Sequence, residues 1–85
     1  MIRIYPKSRD CDARYQQGYE LMHEIFNDLV FCGNLGGHVP AGTEEIFIET
    51  DDPEIIRKSA TDIWMNELGC EYQPDELIGI EFCEK

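Results

Sequence analysis

Glu44-Glu-Ile-Phe-Ile-Glu-Thr50-Asp-Asp-Pro-Glu54 carries a strand signal and a helix start back to back. From Glu44 to Thr50, Ile46 and Ile48 alternate with Glu45, Phe47 and Glu49. A period of two sends the isoleucines to one face and sets two carboxylates around an aromatic ring on the other. Asp51 and Asp52 then offer capping carboxylates, Pro53 has the φ that suits a first helical position, and Glu54 lies at the positive end of the helix dipole. The pattern predicts a helix whose buried face is Ile56, Ala60, Ile63 and Trp64, with Glu54 and Lys58 as an i,i+4 pair and Gly69 at its end. Glu67 falls on the same face one turn on, at the expected rim of the sheet.

Upstream, Pro40 to Thr43 reads as a short turn, and Leu35 to Val39 as a weak strand paired with Glu44 to Thr50 in a hairpin. Before it, Tyr15, Tyr19, Met22, Phe26, Leu29 and Val30 recur at three- and four-residue steps, flanked by Leu21 and Ile25. This is an amphipathic helix, capped by Asp10 or Asp12 and closed by Gly33. At the start, Ile2 and Ile4 alternate with Arg3 and Tyr5 in a strand that Pro6 is expected to stop. Downstream, Glu76 to Cys83 reads as the last strand, with Ile78, Ile80 and Phe82 on one face and Gly79, Glu81 and Cys83 on the other.

Strand, helix, weak strand, strand, helix, strand is the order of a ferredoxin-like βαββαβ sandwich, an α+β fold with two helices on one face of a small sheet. Without the weak strand, a three-stranded βαβαβ sheet would remain. Residues 1–85 form one small acidic domain.

Charge is distributed unevenly. Residues 44–85 carry thirteen Asp or Glu against Arg57, Lys58 and Lys85, a net −10, whereas residues 1–43 come to −1. Halophilic proteins spread acids over the whole surface, so the balanced first half argues for a field directed at a basic partner. The same sign repels anionic headgroups and nucleic acid backbones, so neither a membrane nor direct nucleic acid is expected as a partner. With no leader-like or spanning apolar stretch, the expected compartment is the cytoplasm, of a host cell if the protein is phage-encoded.

Catalytic signatures are weak. Cys11, Cys32, Cys70 and Cys83 contain no Cys-x-x-Cys pair and are expected to be reduced. The glycine-rich run Gly33 to Gly42 follows a helix and precedes a strand, opposite to a phosphate loop, and lacks the Gly-Lys-Ser/Thr ending. Cys32 and His38 are the only local thiol and imidazole, and would carry a small thiol or metal-dependent enzyme if there were one. No metal or other cofactor and no enzymatic activity are expected.

Binding is the better reading. Glu44, Glu45, Glu49, Asp51 and Asp52 form one acidic run, and Glu71, Asp75, Glu76 and Glu81 another, on elements that can be sheet neighbours. Such an array presents carboxylates where a nucleic-acid-binding protein expects phosphates. Phe47 joins the partner-binding set as an aromatic among acids, while Phe31 and Met65 are further exposed apolars. In size, acidity and α+β plan the chain resembles phage-encoded inhibitors, including anti-CRISPR and anti-restriction proteins. The resemblance implies a DNA mimic that inhibits a basic nucleic-acid-handling protein by occupying its nucleic-acid site. The alternative is a structural or regulatory homodimer, its sheets paired through Phe47 and the last strand.

Overall fold

The structure, a computed structural model, describes residues 1–8, 13–42, 44–68 and 72–83. Strands β1 (Ile2–Pro6), β2 (Gly37–His38), β3 (Ile46–Ile48) and β4 (Ile78–Phe82) form one sheet of order β2-β3-β1-β4. Every neighbouring pair is antiparallel, so β1 and β2 run the same way on either side of β3. Helices α1 (Ala13–Phe26) and α2 (Pro53–Ile63) each continue into a π-helical turn, at Asn27–Phe31 and Trp64–Leu68. A third helix, α3 (Pro74–Leu77), immediately precedes β4. The chain is therefore an α+β protein with a full four-stranded sheet, and the three-stranded alternative is overturned by the presence of β2.

Register aligns the apolar faces. Ile2 lies opposite Ile48 and Phe82, and Ile4 opposite Ile46 and Ile80, so the isoleucines of three strands share one face. Against it pack Leu21, Met22 and Ile25 of α1, Ile56, Ala60 and Ile63 of α2, and Leu77 of α3. Trp64 packs on this core half-buried, as its position on the α2 stripe predicts.

The buried stripe of α1 keeps Tyr15, Met22 and Leu29 of the expected set but is rotated toward Leu21 and Ile25. Leu21 and Ile25 are fully buried, whereas Tyr19 is 37% exposed and Phe26 and Val30 are half-buried. Gly18 explains the rotation. Its missing side chain lets α1 settle on the backbone carbonyl of Leu77, so close that a Cβ would overlap the oxygen. The face centred on Gly18, Leu21 and Ile25 thereby becomes the inner one.

The end of this helix is also displaced by one residue. Cys32 N donates to Asn27 O in the π turn, and Leu35 N then reaches Leu29 O at 3.1 Å. The extra residue moves the left-handed closing position from the expected Gly33 to Asn34, with φ 62°. Asparagine tolerates that conformation better than most residues. The expected caps Asp10 and Asp12, and the terminator Gly69, lie outside the described residues, as do Cys11, Cys70 and the side chain of Glu67.

All four strands differ in extent from the sequence pattern, β3 shortening from the expected Glu44–Thr50 to Ile46–Ile48. β1 ends at Pro6, which is its last residue and not the first beyond it, pairing with Ile78 at the end of the ladder. Even-numbered residues of β1 direct their backbone groups toward β3, which ends before reaching Pro6, so the absent N–H removes no ladder bond. Strand β2 shrinks to Gly37–His38, where a Cβ on Gly37 would press on Phe47 O at 2.5 Å. Glu76 and Leu77 belong to α3 rather than the last strand, because Pro74 starts a helical turn and Glu76 Oε2 accepts from Gln73 N at 3.3 Å.

At α2 the local signal holds. Asp52 Oδ1 accepts from Glu54 N at 3.0 Å, with Pro53 as the first helical residue. Glu54 pairs with Arg57 at 2.6 Å, one turn position short of the expected Lys58. Asp52→Ala is expected to destabilise the fold by about 1 kcal/mol. Urea denaturation measures this directly, and an unchanged midpoint would mean that the carboxylate contributes nothing to α2.

Candidate partner-binding face

Strand alternation places Arg3 and Tyr5 of β1, Phe47 of β3, His38 of β2 and Gly79 and Glu81 of β4 on the sheet face away from the helices. Glu45 and Glu49 flank Phe47 on the same face. Arg3 is central. Its Nε donates to Glu45 Oε2 and its Nη1 to Glu81 Oε2 at 2.5 Å, while its Cζ lies 4.5 Å from the centre of the Tyr5 ring. The hydrogen bond to Glu45 is the main cause of a raised guanidinium pKa, opposed by partial burial and reinforced by Glu81. Arg3 therefore stays charged at any working pH.

Aromatic groups fill the rest. The His38 ring stacks on Phe47 with centroids 4.8 Å apart and planes 14° from parallel. Tyr5 spreads over Gly79, which has no side chain to hold it off. The face thus combines ring surfaces and one guanidinium with the carboxylates of Glu45, Glu49 and Glu81.

The two acidic runs are not neighbours, contrary to the sequence reading. Strand β1 lies between β3 and β4, which sets those two strands about 10 Å apart, two interstrand spacings. Across that gap Arg3 takes one carboxylate from each run.

Several expected site residues acquire internal roles. Glu45 and Glu81 hold Arg3, and Asp52 caps α2. Asp51 lies 3.4 Å from the terminal ammonium of Met1 but is almost entirely exposed, an arrangement of little energetic weight. Glu76 ties down the start of α3, and the Asp75 backbone carbonyl accepts from Lys7 Nζ at 2.6 Å. Glu44 and Glu49 are exposed at the two ends of β3, and neither forms an ion pair among the described residues. Phe47 is half-buried by its His38 partner, whereas Phe31 and Met65 are 74% and 66% exposed. Glu71 lies outside the described residues.

Sequence reasoning missed Arg3, Tyr5 and His38 as members of this face. The alternation in β1 and β2 carried the signal, but only the strand order brings them beside Phe47 and Glu81.

Cys32 is exposed and the His38 ring lies against Phe47; among the described residues no hydrogen bond joins them. No group of three or more His, Cys, Asp or Glu among the described residues is placed to hold a metal ion. A groove of about 500 Å³ lies between α2, the start of α3 and β4, with Lys7, Arg57, Thr61, Gln73, Asp75 and Ile80 in its lining. Among the described residues, no helix is long and apolar enough to cross a membrane. The chain matches no protein-family model, no curated protein and no solved structure.

Proposed function

We propose that this chain is a small acidic binding protein that inhibits or modulates a basic, nucleic-acid-handling partner by covering its cationic site, in the manner of small acidic phage-encoded inhibitors. It acts by occupation and not by catalysis. One observation carries the reading: a sheet face free of helices among the described residues, on which the rings of His38, Phe47 and Tyr5 lie beside the carboxylates of Glu45, Glu49 and Glu81. Rings supply contact area at small entropic cost, and surrounding acids select a cationic counterpart. A charge of −11 on 85 residues adds long-range steering toward such a site.

We infer a ferredoxin-like arrangement of two interleaved βαβ units for the backbone. The order β2-β3-β1-β4 with all neighbours antiparallel supports it.

Glu44→Gln with Glu49→Gln is the discriminating variant, because neither carboxylate forms an ion pair among the described residues. Removing one charge from the face and one from the exposed end of β3 is expected to weaken binding to a cationic peptide or protein about tenfold at low salt, with a smaller loss at high salt. The thermal midpoint should stay within a few degrees of the parent. Equal affinity for parent and variant at low salt would remove this face from the proposal.

A further inference from the structure

We propose that the outer edge of β4 receives an extended segment of the basic partner as a fifth strand, in which apolar residues alternate with Lys or Arg. This rests on the acidic-binding reading and adds the shape and sequence pattern of what is bound.

Strand order leaves β4 without a neighbour on its outer side among the described residues. Lys7 N bonds to Leu77 O at 3.0 Å and Cys83 N to Met1 O at 2.9 Å, at the two ends of an unbroken β1–β4 register. Antiparallel bonding alternates. Gly79 and Glu81 therefore direct their backbone groups to β1, and Ile80 and Phe82 direct both N–H and C=O outward. Ile78 uses its N–H on Pro74 O at the end of α3 and has only its carbonyl on the edge.

Natural sheet edges are usually blunted by lysine, proline or a bulge. Ile78-Gly-Ile-Glu-Phe82 has none of these. Its side chains also define an occupant. On the helix side, Phe82 is 67% exposed and Ile80 half-buried, an apolar border that an incoming Val, Ile or Leu would extend. On the opposite side the Glu81 carboxylate, which holds Arg3 through Oε2, is half-exposed, and a Lys or Arg of the new strand would share it. Two copies of this chain would bring −11 against −11, whereas a basic strand is charge-complementary. Main-chain bonds to Ile80 and Phe82 supply register, and alternating side chains supply selectivity.

The test uses the full chain, labelled with ¹⁵N, and the peptide acetyl-Val-Lys-Val-Arg-Val-Lys-Val-amide at low salt. A second peptide of the same sequence carries N-methyl groups on alternate residues of the bonding edge. The unmodified peptide should shift the Ile80 and Phe82 amide signals most and slow their hydrogen exchange. N-methylation should weaken binding at least about tenfold, the loss expected from removing two hydrogen bonds. Phe82→Pro deletes an outward N–H but no β1 ladder bond, and should lower affinity similarly while the far-ultraviolet spectrum is retained.

Equal binding of both peptides, with shifts centred on His38 and Phe47, would overturn the edge site and leave the acidic-face reading standing. Binding of neither peptide at low salt would overturn both. Protection of Ile80 and Phe82 that rises with protein concentration, without peptide, would assign the edge to a second copy and also overturn the proposal.

Discussion

Gly18→Val is expected to destabilise the domain by about 3 kcal/mol, near the upper end of what overpacking costs. The new Cβ would overlap the Leu77 carbonyl oxygen, a backbone atom fixed by the junction of α3 with β4. Relief requires α1 to lift from α3, and the lift opens the contacts of Leu21, Met22 and Ile25 with the sheet. Gly18→Ala separates the opposing effects. Alanine favours the helix by about 1 kcal/mol over glycine, yet its Cβ meets the same oxygen. Because the obstacle is backbone and not a movable side chain, the clash should win and Gly18→Ala should also lower stability, by less than valine. For 85 residues a total stability of about 4–13 kcal/mol is typical, so Gly18→Val removes a large share. Urea denaturation of both variants gives the measurement. A stabilised Gly18→Ala would show that α1 does not rest on Leu77.

The same glycine shows where the sequence stops being legible. Tyr15 and Met22 are buried as the periodicity predicts, but periodicity alone has no means of preferring Leu21 and Ile25 over Tyr19 and Phe26 beside them on the inner face. The choice depends on Leu77, about sixty residues away in sequence, approaching position 18. The π turn at Asn27–Phe31 is similarly hidden, since its single extra residue moved the helix end from Gly33 to Asn34 without any local marker. Where the signal was local, the structure follows it: Asp52-Pro53-Glu54 starts α2, and Ile46 and Ile48 turn inward while Phe47 turns out. For the candidate face, the acids were legible as charge but their relations were not. That β1 lies between the two acidic strands, with Arg3 bridging them, is a property of strand order, and composition has no bearing on it.

Arg3→Met is the second substitution expected to have a large effect, because Arg3 is the link between the two acidic strands. Methionine retains the apolar stem and removes the guanidinium. Two charge-assisted hydrogen bonds are lost, and Glu45 and Glu81 then face each other across β1 without a cation. Buried, such bonds would be worth about 1.5–3 kcal/mol each. The Arg3 side chain is 32% exposed and that of Glu81 52%, so screening reduces the total to about 2 kcal/mol. Repulsion and lost bonding can be told apart. Raising the salt concentration should recover part of the loss in Arg3→Met, since it screens carboxylate against carboxylate, but should do little for the parent. Adding Glu45→Gln to Arg3→Met should recover more, and the double-mutant cycle should give a coupling of about 1 kcal/mol between positions 3 and 45. The same variant bears on binding. With Arg3 gone, Glu45 and Glu81 become free to meet a partner's cations, so affinity for a basic peptide should rise even as stability falls. Opposite changes in the two quantities are the signature of a guanidinium that holds the sheet together by neutralising its binding face. A parallel fall in both would mean that Arg3 shapes the face and does not compete for it.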